Sequence, residues 1–170
     1  MPRISYGPEK DAMLVAWGDR QLADYIDTCG VKGHIEDMSF IGGYRFEPML
    51  LIRYKGRKSG RTMIKSLGYC QFGPEIAIVA SLGGSDEHPL WYLNIKAGGP
   101  IAFQIATQAF NATWREPEGQ EREEAWTWMA KSNPLLASYR QATTREIPLL
   151  LLTPLDEIAV FSRADISASQ

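Results

Sequence analysis

Apolar residues recur at helical spacing in the first part of the chain, over residues 11–29. They are Leu14, Val15, Trp17, Leu22, Tyr25 and Ile26. Acidic residues stand between them, so that one face of the segment is apolar and the other is charged. The pattern predicts an amphipathic helix that ends near Gly30 and covers one side of the core.

Strand-like segments follow in quick succession at 49–55, 62–71 and 75–81. Turn signals separate them, first the glycines within 56–60 and then the pair Gly73-Pro74. Such short connections are typical of an antiparallel meander.

The segment before this meander, 32–46, has no clean hydrophobic period and contains Gly33, Gly42 and Gly43. It is therefore predicted to be a loop with a short helical turn near 35–38. Loops of this kind often cover a binding site.

The second half of the chain alternates helices and strands. Its predicted elements are a helix at 88–97, strands at 101–105 and 110–115, a helix at Gly119–Ser132 and a further helix from Asn133 through Arg140. The run 147–153, IPLLLLT, is apolar throughout and predicts a buried central strand, and 156–162 adds an edge strand. Because the edges of such a sheet must be protected, we expect it to close into a small barrel.

The length of 170 residues is that of a single domain with a substantial core. Within it we expect an N-terminal helix at 1–30, a barrel with inserted helices at 47–162 and a tail at 163–170. The polar end of that tail, 167–170, is predicted to be disordered. The 18 basic and 20 acidic residues exclude the broadly basic surface of a nucleic-acid-binding protein.

The two cysteines, Cys29 and Cys70, lie far apart, and neither has a second Cys or a His at metal-ligand spacing. We therefore expect no metal site, and two reduced, buried thiols in a cytoplasmic protein. The N-terminal sequence lacks an apolar run of signal-peptide length, and no run approaches the roughly 20 apolar residues that span a bilayer. No integral membrane segment is expected.

The stretch 53–65, RYKGRKSGRTMIK, is the most strongly charged part of the chain. It contains six of the 18 basic residues and no acidic residue, although the formal net charge of the protein is −2. Gly56 and Gly60 flank Ser59, so that an apolar strand runs into a turn rich in cations. Such a turn offers backbone N–H groups, a hydroxyl and fixed charges to an anion such as phosphate. A solvated basic hairpin is the alternative interpretation.

Three segments together carry a resemblance to a known family. They are GRKSG at 56–60, ASLGGSDEHPLWYLNIKAGGP at 80–100 and YRQATTREIPLLLLTPL at 139–155. In this order and spacing the chain resembles the deazaflavin (F420)-dependent nitroreductase family from about Gly42 to Leu155. The resemblance implies a split β-barrel, so the expected fold is α+β and mainly antiparallel, with peripheral helices and the N-terminal amphipathic helix.

The resemblance also implies that coenzyme F420 is the cofactor and which residues hold it. The residues that would hold its phosphate and acidic tail are Arg57, Lys58, Ser59 and Gly60, with Arg61 and Lys65 as neighbouring cations. The small residues that would lie beside its ring are Ala80, Ser81, Gly83 and Gly84. Trp91, Asn94 and Lys96 match the helix motif of the family. Core packing is an equally good interpretation for Trp91, and a solvated charge is an equally good interpretation for Lys96.

Two positions near the turn depart from the family pattern. Met63 stands where members commonly carry an Arg, and Leu82 stands where some carry a Lys. Arg61 and Lys65 are candidates to compensate, although strand alternation puts both on one face with Met63.

The positions that hold tyrosines in nitroreductases also differ. They correspond to Asn133 and Leu136 here, and only Tyr139 is retained. A more apolar pocket wall favours a hydrophobic substrate, such as an enone, a steroid-like or terpenoid ring, or a quinone, over a nitroimidazole.

The expected reaction is hydride transfer from reduced F420 to the β-carbon of an activated double bond, followed by protonation of the enolate. The candidate proton donors are Tyr139, Ser81 and Tyr44, because a hydroxyl can bind the substrate oxygen as negative charge develops. For Tyr139, packing with its hydroxyl at the surface is the alternative.

Two other functions remain open at this point. One is an enzyme of the same fold that works without F420, either as an isomerase with His88 as base or with FMN. The other is a non-catalytic protein that binds a lipophilic molecule in the barrel. In each case the expected partner is a hydrophobic small molecule, and both a monomer and a homodimer remain possible.

Overall fold

The computed structural model describes residues 4–167, and in this part of the chain five helices surround a seven-stranded sheet. The helices are α1 (Pro8–Asp27), α2 (Leu90–Lys96), α3 (Gly119–Ser132), α4 (Leu135–Ala142) and α5 (Arg163–Ser167). The strands are β1 (Ile35–Glu36), β2 (Glu47–Lys55), β3 (Thr62–Phe72), β4 (Glu75–Val79), β5 (Ile101–Ile105), β6 (Gln108–Arg115) and β7 (Leu149–Ile158).

Six strands close into a barrel, because β2 pairs with β3 on one edge and with β5 on the other. The order around the barrel is β2-β3-β4-β7-β6-β5, and every pairing is antiparallel. The short strand β1 adds to β2 outside the barrel. The predicted α+β fold with a mainly antiparallel split β-barrel is confirmed.

Alternating residues of the strands fill the inside of the barrel and the layer between barrel and helices. Leu50 and Ile52 of β2 belong to the interior cluster, whereas Leu51 packs outward with Tyr25 and Ile26 of α1. The same division explains the apolar run at the start of β7: Leu150 and Leu152 face the barrel interior, and Leu149 and Leu151 pack against α3 and α4. A strand that is covered on both faces has no polar side, and for this reason the pattern of alternation is missing from its sequence.

Several predicted boundaries differ from the structure. The helical turn expected at 35–38 is instead β1, followed by a 3₁₀ turn at Ser39–Ile41. The separate edge strand expected at 156–162 is wrong, because β7 continues without a break from Leu149 to Ile158. Its second half pairs with β6, which supplies the hydrogen bonds that the expected edge would have left open.

The C-terminal tail expected at 163–170 contains the short helix α5. Arg53 of β2 anchors this helix with a hydrogen bond of 2.7 Å from its Nη1 atom to Asp165 Oδ1. Residues 168–170, which make up most of the segment predicted to be disordered, lie outside the described residues.

The prediction of two buried thiols is half wrong. Cys70 is buried in the cluster between the barrel and α3, and burial raises the pKa of its thiol to about 11. Cys29 is exposed, because it follows the end of α1 in a turn where its φ is 53°. Within residues 4–167, no helix is both long enough and apolar enough to cross a membrane.

Candidate functional site

The basic segment GRKSG forms the tight turn at the tip of the β2–β3 hairpin. Gly56 N–H donates to the Arg61 carbonyl at 2.9 Å, and Gly60 N–H donates to the Gly56 carbonyl at 2.7 Å. Gly60 has a φ of +67°, and a Cβ atom on Gly56 would lie 2.6 Å from Ser59 Oγ. Gly60 therefore favours this turn because a side chain would be strained at its positive φ, whereas a side chain at Gly56 would require the Ser59 hydroxyl to move.

Arg57 fastens the turn to the helix α2. Its backbone N–H and its Nη1 atom both donate to Asn94 Oδ1, at 3.2 and 2.9 Å. The neighbouring side chains of Lys58, Ser59 and Arg61 are exposed. The turn thus presents cations to solvent from a backbone that is held in place on two sides.

A pocket of about 230 Å³ opens beside the barrel, between β3, α2, α4 and the N-terminal segment. Among the residues that line it are Tyr6, Lys65, Ser81, Leu82, Trp91 and Tyr139. A second pocket of about 440 Å³ lies between α1 and β3, but apart from Lys65 it contains none of the predicted site residues. The smaller pocket is therefore the better candidate for the functional site.

The pocket forms where β3 extends beyond β4. The pairing of β3 with β4 begins at Tyr69, whereas its pairing with β2 continues to Thr62 at the tip of the hairpin. On the side of β4, the chain turns away after Val79 into the loop 80–89. The two segments separate at this point, and the pocket fills the gap.

Two elements connect the basic turn with the pocket. Met63 and Lys65 lie on the same face of β3, and Arg61 directly precedes the strand, about 13 Å from Lys65 at the usual rise of an extended chain. On α2, Asn94 holds the turn while Trp91, three residues earlier and on the same side of the helix, lines the pocket. The turn and the pocket are thus linked through β3 and α2, although no residue of the turn lines the pocket.

The glycine loop, which we define as residues 80–85, has an unusual backbone, because three successive residues at 82–84 have positive φ. The values are 46° for Leu82, 61° for Gly83 and 76° for Gly84. A Cβ atom on Gly84 would lie 2.9 Å from the Ala142 side chain and 3.0 Å from the Tyr139 carbonyl oxygen. Only glycine lets the loop lie so closely on α4, and this contact brings Ser81 and Tyr139 to the same pocket.

Arg145 holds this loop in place. Its guanidinium donates to the carbonyl oxygens of Ser85, Ser81 and Ala80, at 2.7, 2.9 and 3.1 Å. Burial lowers the pKa of this group, but an arginine stays charged at any ordinary pH. Sequence reasoning missed this residue, although it lies in the segment TTREIP that was part of the family resemblance.

The predicted site residues lie in two groups, one at the basic turn and one at the pocket, and some lie in neither. Ala80 is fully buried in the barrel core, and Gly84 is buried under α4, so neither belongs to the pocket lining. Tyr44 lies on the loop before β2 with a side chain that is 49% exposed, and it is likewise absent from the lining. Lys96 points to the other side of α2 and forms a salt bridge of 3.4 Å with Glu116.

His88, the candidate base of the isomerase alternative, lies behind the glycine loop. Its Nδ1 atom is 3.3 Å from Arg145 Nη1, and its ring is tilted against that of Tyr92. Burial lowers its pKa, and the charges of Arg145 and Lys96 lower it further. His88 is therefore neutral at neutral pH, but it is not part of the pocket lining.

The N-terminal segment also takes part in the site, which the sequence did not predict. Ile4 N–H donates to the Gly83 carbonyl at 2.8 Å, and the hydroxyls of Tyr6 and Tyr139 are hydrogen-bonded at 2.6 Å. A lone aromatic residue in a polar N-terminal sequence gives no signal by which this contact could have been found.

Comparison with known proteins gives a family and several relatives. A family model described as F420H(2)-dependent quinone reductase matches residues 37–154. An F420H(2)-dependent quinone reductase of Mycobacterium tuberculosis is 30% identical over 109 residues, which are 62% of this chain and 73% of the relative.

Two solved structures are similar in fold and sequence. One, an F420-H2 dependent reductase, has a TM-score of 0.58 and 35% identity, and the match covers 62% of this chain and 93% of that one. The other, described as a domain-swapped dimer, has a TM-score of 0.60 and 30% identity, with coverages of 81% and 98%.

Replacing Arg145 tests its role in holding the glycine loop. Lysine cannot reach three carbonyl oxygens at once, so Arg145→Lys is expected to lower the free energy of unfolding by about 1–3 kcal/mol. The matched control is Arg140→Lys, because Arg140 forms an exposed ion pair with Glu123 and its loss should cost less than about 1 kcal/mol. Urea unfolding followed by tryptophan fluorescence measures both, and equal losses in the two variants would contradict the assigned role.

Proposed function

Because a family model matches more than half of it, the chain belongs to the F420H(2)-dependent quinone reductase family, and we propose that it transfers a hydride from reduced F420 to an activated double bond of a hydrophobic enone or quinone. Membership makes the protein an F420H2-dependent reductase, so F420 is favoured over FMN or the absence of a cofactor. The observation that carries the finer proposal is an exposed basic turn that is linked through β3 and α2 to a mainly apolar pocket with hydroxyl groups at its wall.

The chemistry of the turn fits a ligand with a phosphate and an acidic tail. Arg57, Lys58, Ser59 and Gly60 would hold the phosphate, because they combine two cations, a hydroxyl and a backbone that an anion can approach closely. Arg61 extends the positive charge along β3. When bound, the reduced cofactor supplies the hydride.

The pocket fits a flat, uncharged ring system. Ser81 and Gly83 line it beside Trp91, so that small and planar groups face the space where a ring would lie. Leu82, which is 37% exposed, and Met63, which is 36% exposed, add apolar surface where the family pattern has cations. Excluding water from this space strengthens every hydrogen bond to the reacting oxygen.

Tyr139 and Ser81 both line the pocket, and their proposed roles are to orient the substrate and to supply its proton. A hydroxyl that donates to the carbonyl oxygen of an enone or quinone stabilises the negative charge that develops there as the carbon framework gains a hydride. The O–H bond of Tyr139 then breaks, its proton goes to the substrate, and the phenolate regains a proton from water. The substrate thus gains one hydride and one proton, which together are a two-electron reduction.

The preference for a hydrophobic substrate follows from the apolar wall of the pocket. Leu67, Val79, Leu82 and Trp91 present most of this wall, and the charged side chain at its edge is Lys65. A quinone and a cyclic enone both offer a planar ring with a carbonyl oxygen that Tyr139 can bind. This requirement agrees with the substrate class in the name of the family.

Oxidation of F420H2 by different acceptors tests the proposed reaction. We expect the absorbance of oxidised F420 to return when a naphthoquinone or a cyclic enone is added to enzyme and F420H2, and to return much more slowly with a nitroimidazole. The control omits either enzyme or acceptor. Fast oxidation by the nitroimidazole alone, or no acceptor-dependent oxidation by any of the three, would show that the proposed substrate class is wrong.

The substitution Tyr139→Phe tests the proton donor. We expect kcat to fall by about 10²-fold or more, because general acid catalysis contributes on this scale, while the dissociation constant of F420 stays unchanged. Tyr69→Phe is the matched control, since it also removes a hydrogen-bonded phenol hydroxyl, here one that lies 2.9 Å from His34 Nε2 and away from the pocket. If both variants keep the kcat of the wild type, Tyr139 does not donate the proton.

A further inference from the structure

The N-terminal segment 4–6 forms one side of the pocket. Ile4 and Tyr6 both contribute to its lining, and Ile4 N–H donates to the carbonyl of Gly83 in the glycine loop. The segment is therefore joined to the same loop that carries Ser81.

The position of Tyr6 is fixed independently of its hydroxyl. Asp11, in the first turn of α1, accepts a hydrogen bond of 3.0 Å from Tyr6 N–H and one of 2.6 Å from Ser5 Oγ. The ring of Tyr6 packs on the small core that contains Met38 and Leu135, and the ring of Tyr139 packs on the same core. Backbone and ring are thus held by contacts that would survive the loss of the hydroxyl.

The hydroxyl of Tyr6 is hydrogen-bonded to the hydroxyl of Tyr139, at 2.6 Å. This is at the short end of the range for O–H···O bonds, and each phenol can both donate and accept. When Tyr6 is the donor, the Tyr139 oxygen accepts this bond, and its own proton is directed away from Tyr6. The pair therefore has one arrangement in which Tyr139 is ready to give its proton to a substrate.

We propose that Tyr6 is a positioning residue for the reaction, whose hydroxyl donates to Tyr139 and stabilises the phenolate that forms when Tyr139 has given its proton to the substrate oxygen. This inference rests on the proposed function, in which Tyr139 is the proton donor. The Tyr139 O–H bond breaks, a substrate O–H bond forms, and the negative charge passes to the Tyr139 oxygen, where the Tyr6 hydrogen bond faces it. A hydrogen bond to a charged oxygen is stronger than one to a neutral oxygen, so Tyr6 favours the state after proton transfer.

Tyr6→Phe in the full chain removes the hydroxyl and keeps the ring. We expect kcat for quinone or enone reduction to fall by about tenfold, the scale of one hydrogen bond to a charged group, with KM for F420H2 unchanged. The solvent deuterium isotope effect on kcat should rise, because proton transfer becomes slower relative to the other steps. Tyr69→Phe, which breaks the contact with His34, should leave both quantities as in the wild type.

A second readout needs neither cofactor nor turnover. In protein labelled with ¹³Cζ-tyrosine, the resonance that disappears in Tyr139→Phe is that of Tyr139, and its change with pH reports ionisation of the phenol. In Tyr6→Phe this resonance should titrate at higher pH than in the wild type, because the donor that stabilises the phenolate is gone. Tyr69→Phe should not move it.

The outcomes separate the two proposals. Suppose that the wild type reduces quinones or enones with F420H2, so that the proposed function stands. The inference about Tyr6 is then overturned if Tyr6→Phe has the kcat of the wild type. It is also overturned if the variant has a lower kcat but an unchanged isotope effect. If the wild type has no such activity, the proposed function fails, and the titration of Tyr139 still decides whether Tyr6 stabilises its phenolate. An unchanged titration in Tyr6→Phe overturns the inference in either case.

Discussion

The closure of the barrel through β2 is the constraint on which the rest of the structure depends. Pairing of β2 with β5 ends at Arg53, whereas its pairing with β3 continues to Lys55. The hairpin therefore projects beyond the barrel and carries the basic turn at its tip. Because β3 meets β4 only from Tyr69 onward, the same projection leaves a gap beside β3, and the pocket lies in this gap. A single pattern of strand pairing thus produces both halves of the site.

The two halves suit different parts of a ligand. At the turn, Lys58 and Arg61 remain exposed to solvent, where an anion can reach them without the cost of burying an unpaired charge. In the pocket, polar groups are few and are held by specific contacts: Ser81 by the loop that Arg145 fixes, and Tyr139 by its bond to Tyr6. In the proposed function, the protein binds the charged part of the ligand at one end and supplies a proton at the other.

Much of this arrangement could be predicted from the sequence. The strands and helices followed from hydrophobic period and turn residues, and the basic turn was visible because its charges are adjacent in the chain. The contacts that complete the pocket could not be predicted in this way. Tyr6 and Tyr139 are separated by 133 positions, and Arg145 reaches its carbonyl oxygens across 60 or more. Such contacts depend on how the elements pack, and no local sequence pattern predicts them.

The errors in the prediction have the same physical origin. The loop at 35–38 became β1 because the edge of β2 was available for pairing, and this edge is a property of the sheet rather than of the loop. Cys29 was expected inside because cysteine is often buried, but the turn after α1 places it in solvent. Tertiary packing decides such positions, whereas the elements themselves are decided largely by local sequence.

The most direct test of the account is the affinity of F420 for the basic turn, measured by the fluorescence of the cofactor during titration. Replacing Lys58 and Arg61 together by alanine should raise the dissociation constant by about tenfold or more, since each removes a charged hydrogen-bond donor from the anion. The control replaces Lys32 and Lys131 by alanine, which changes the net charge equally but leaves the turn intact. The account predicts weaker binding in the first variant and wild-type binding in the second; equal affinities in both variants would contradict it.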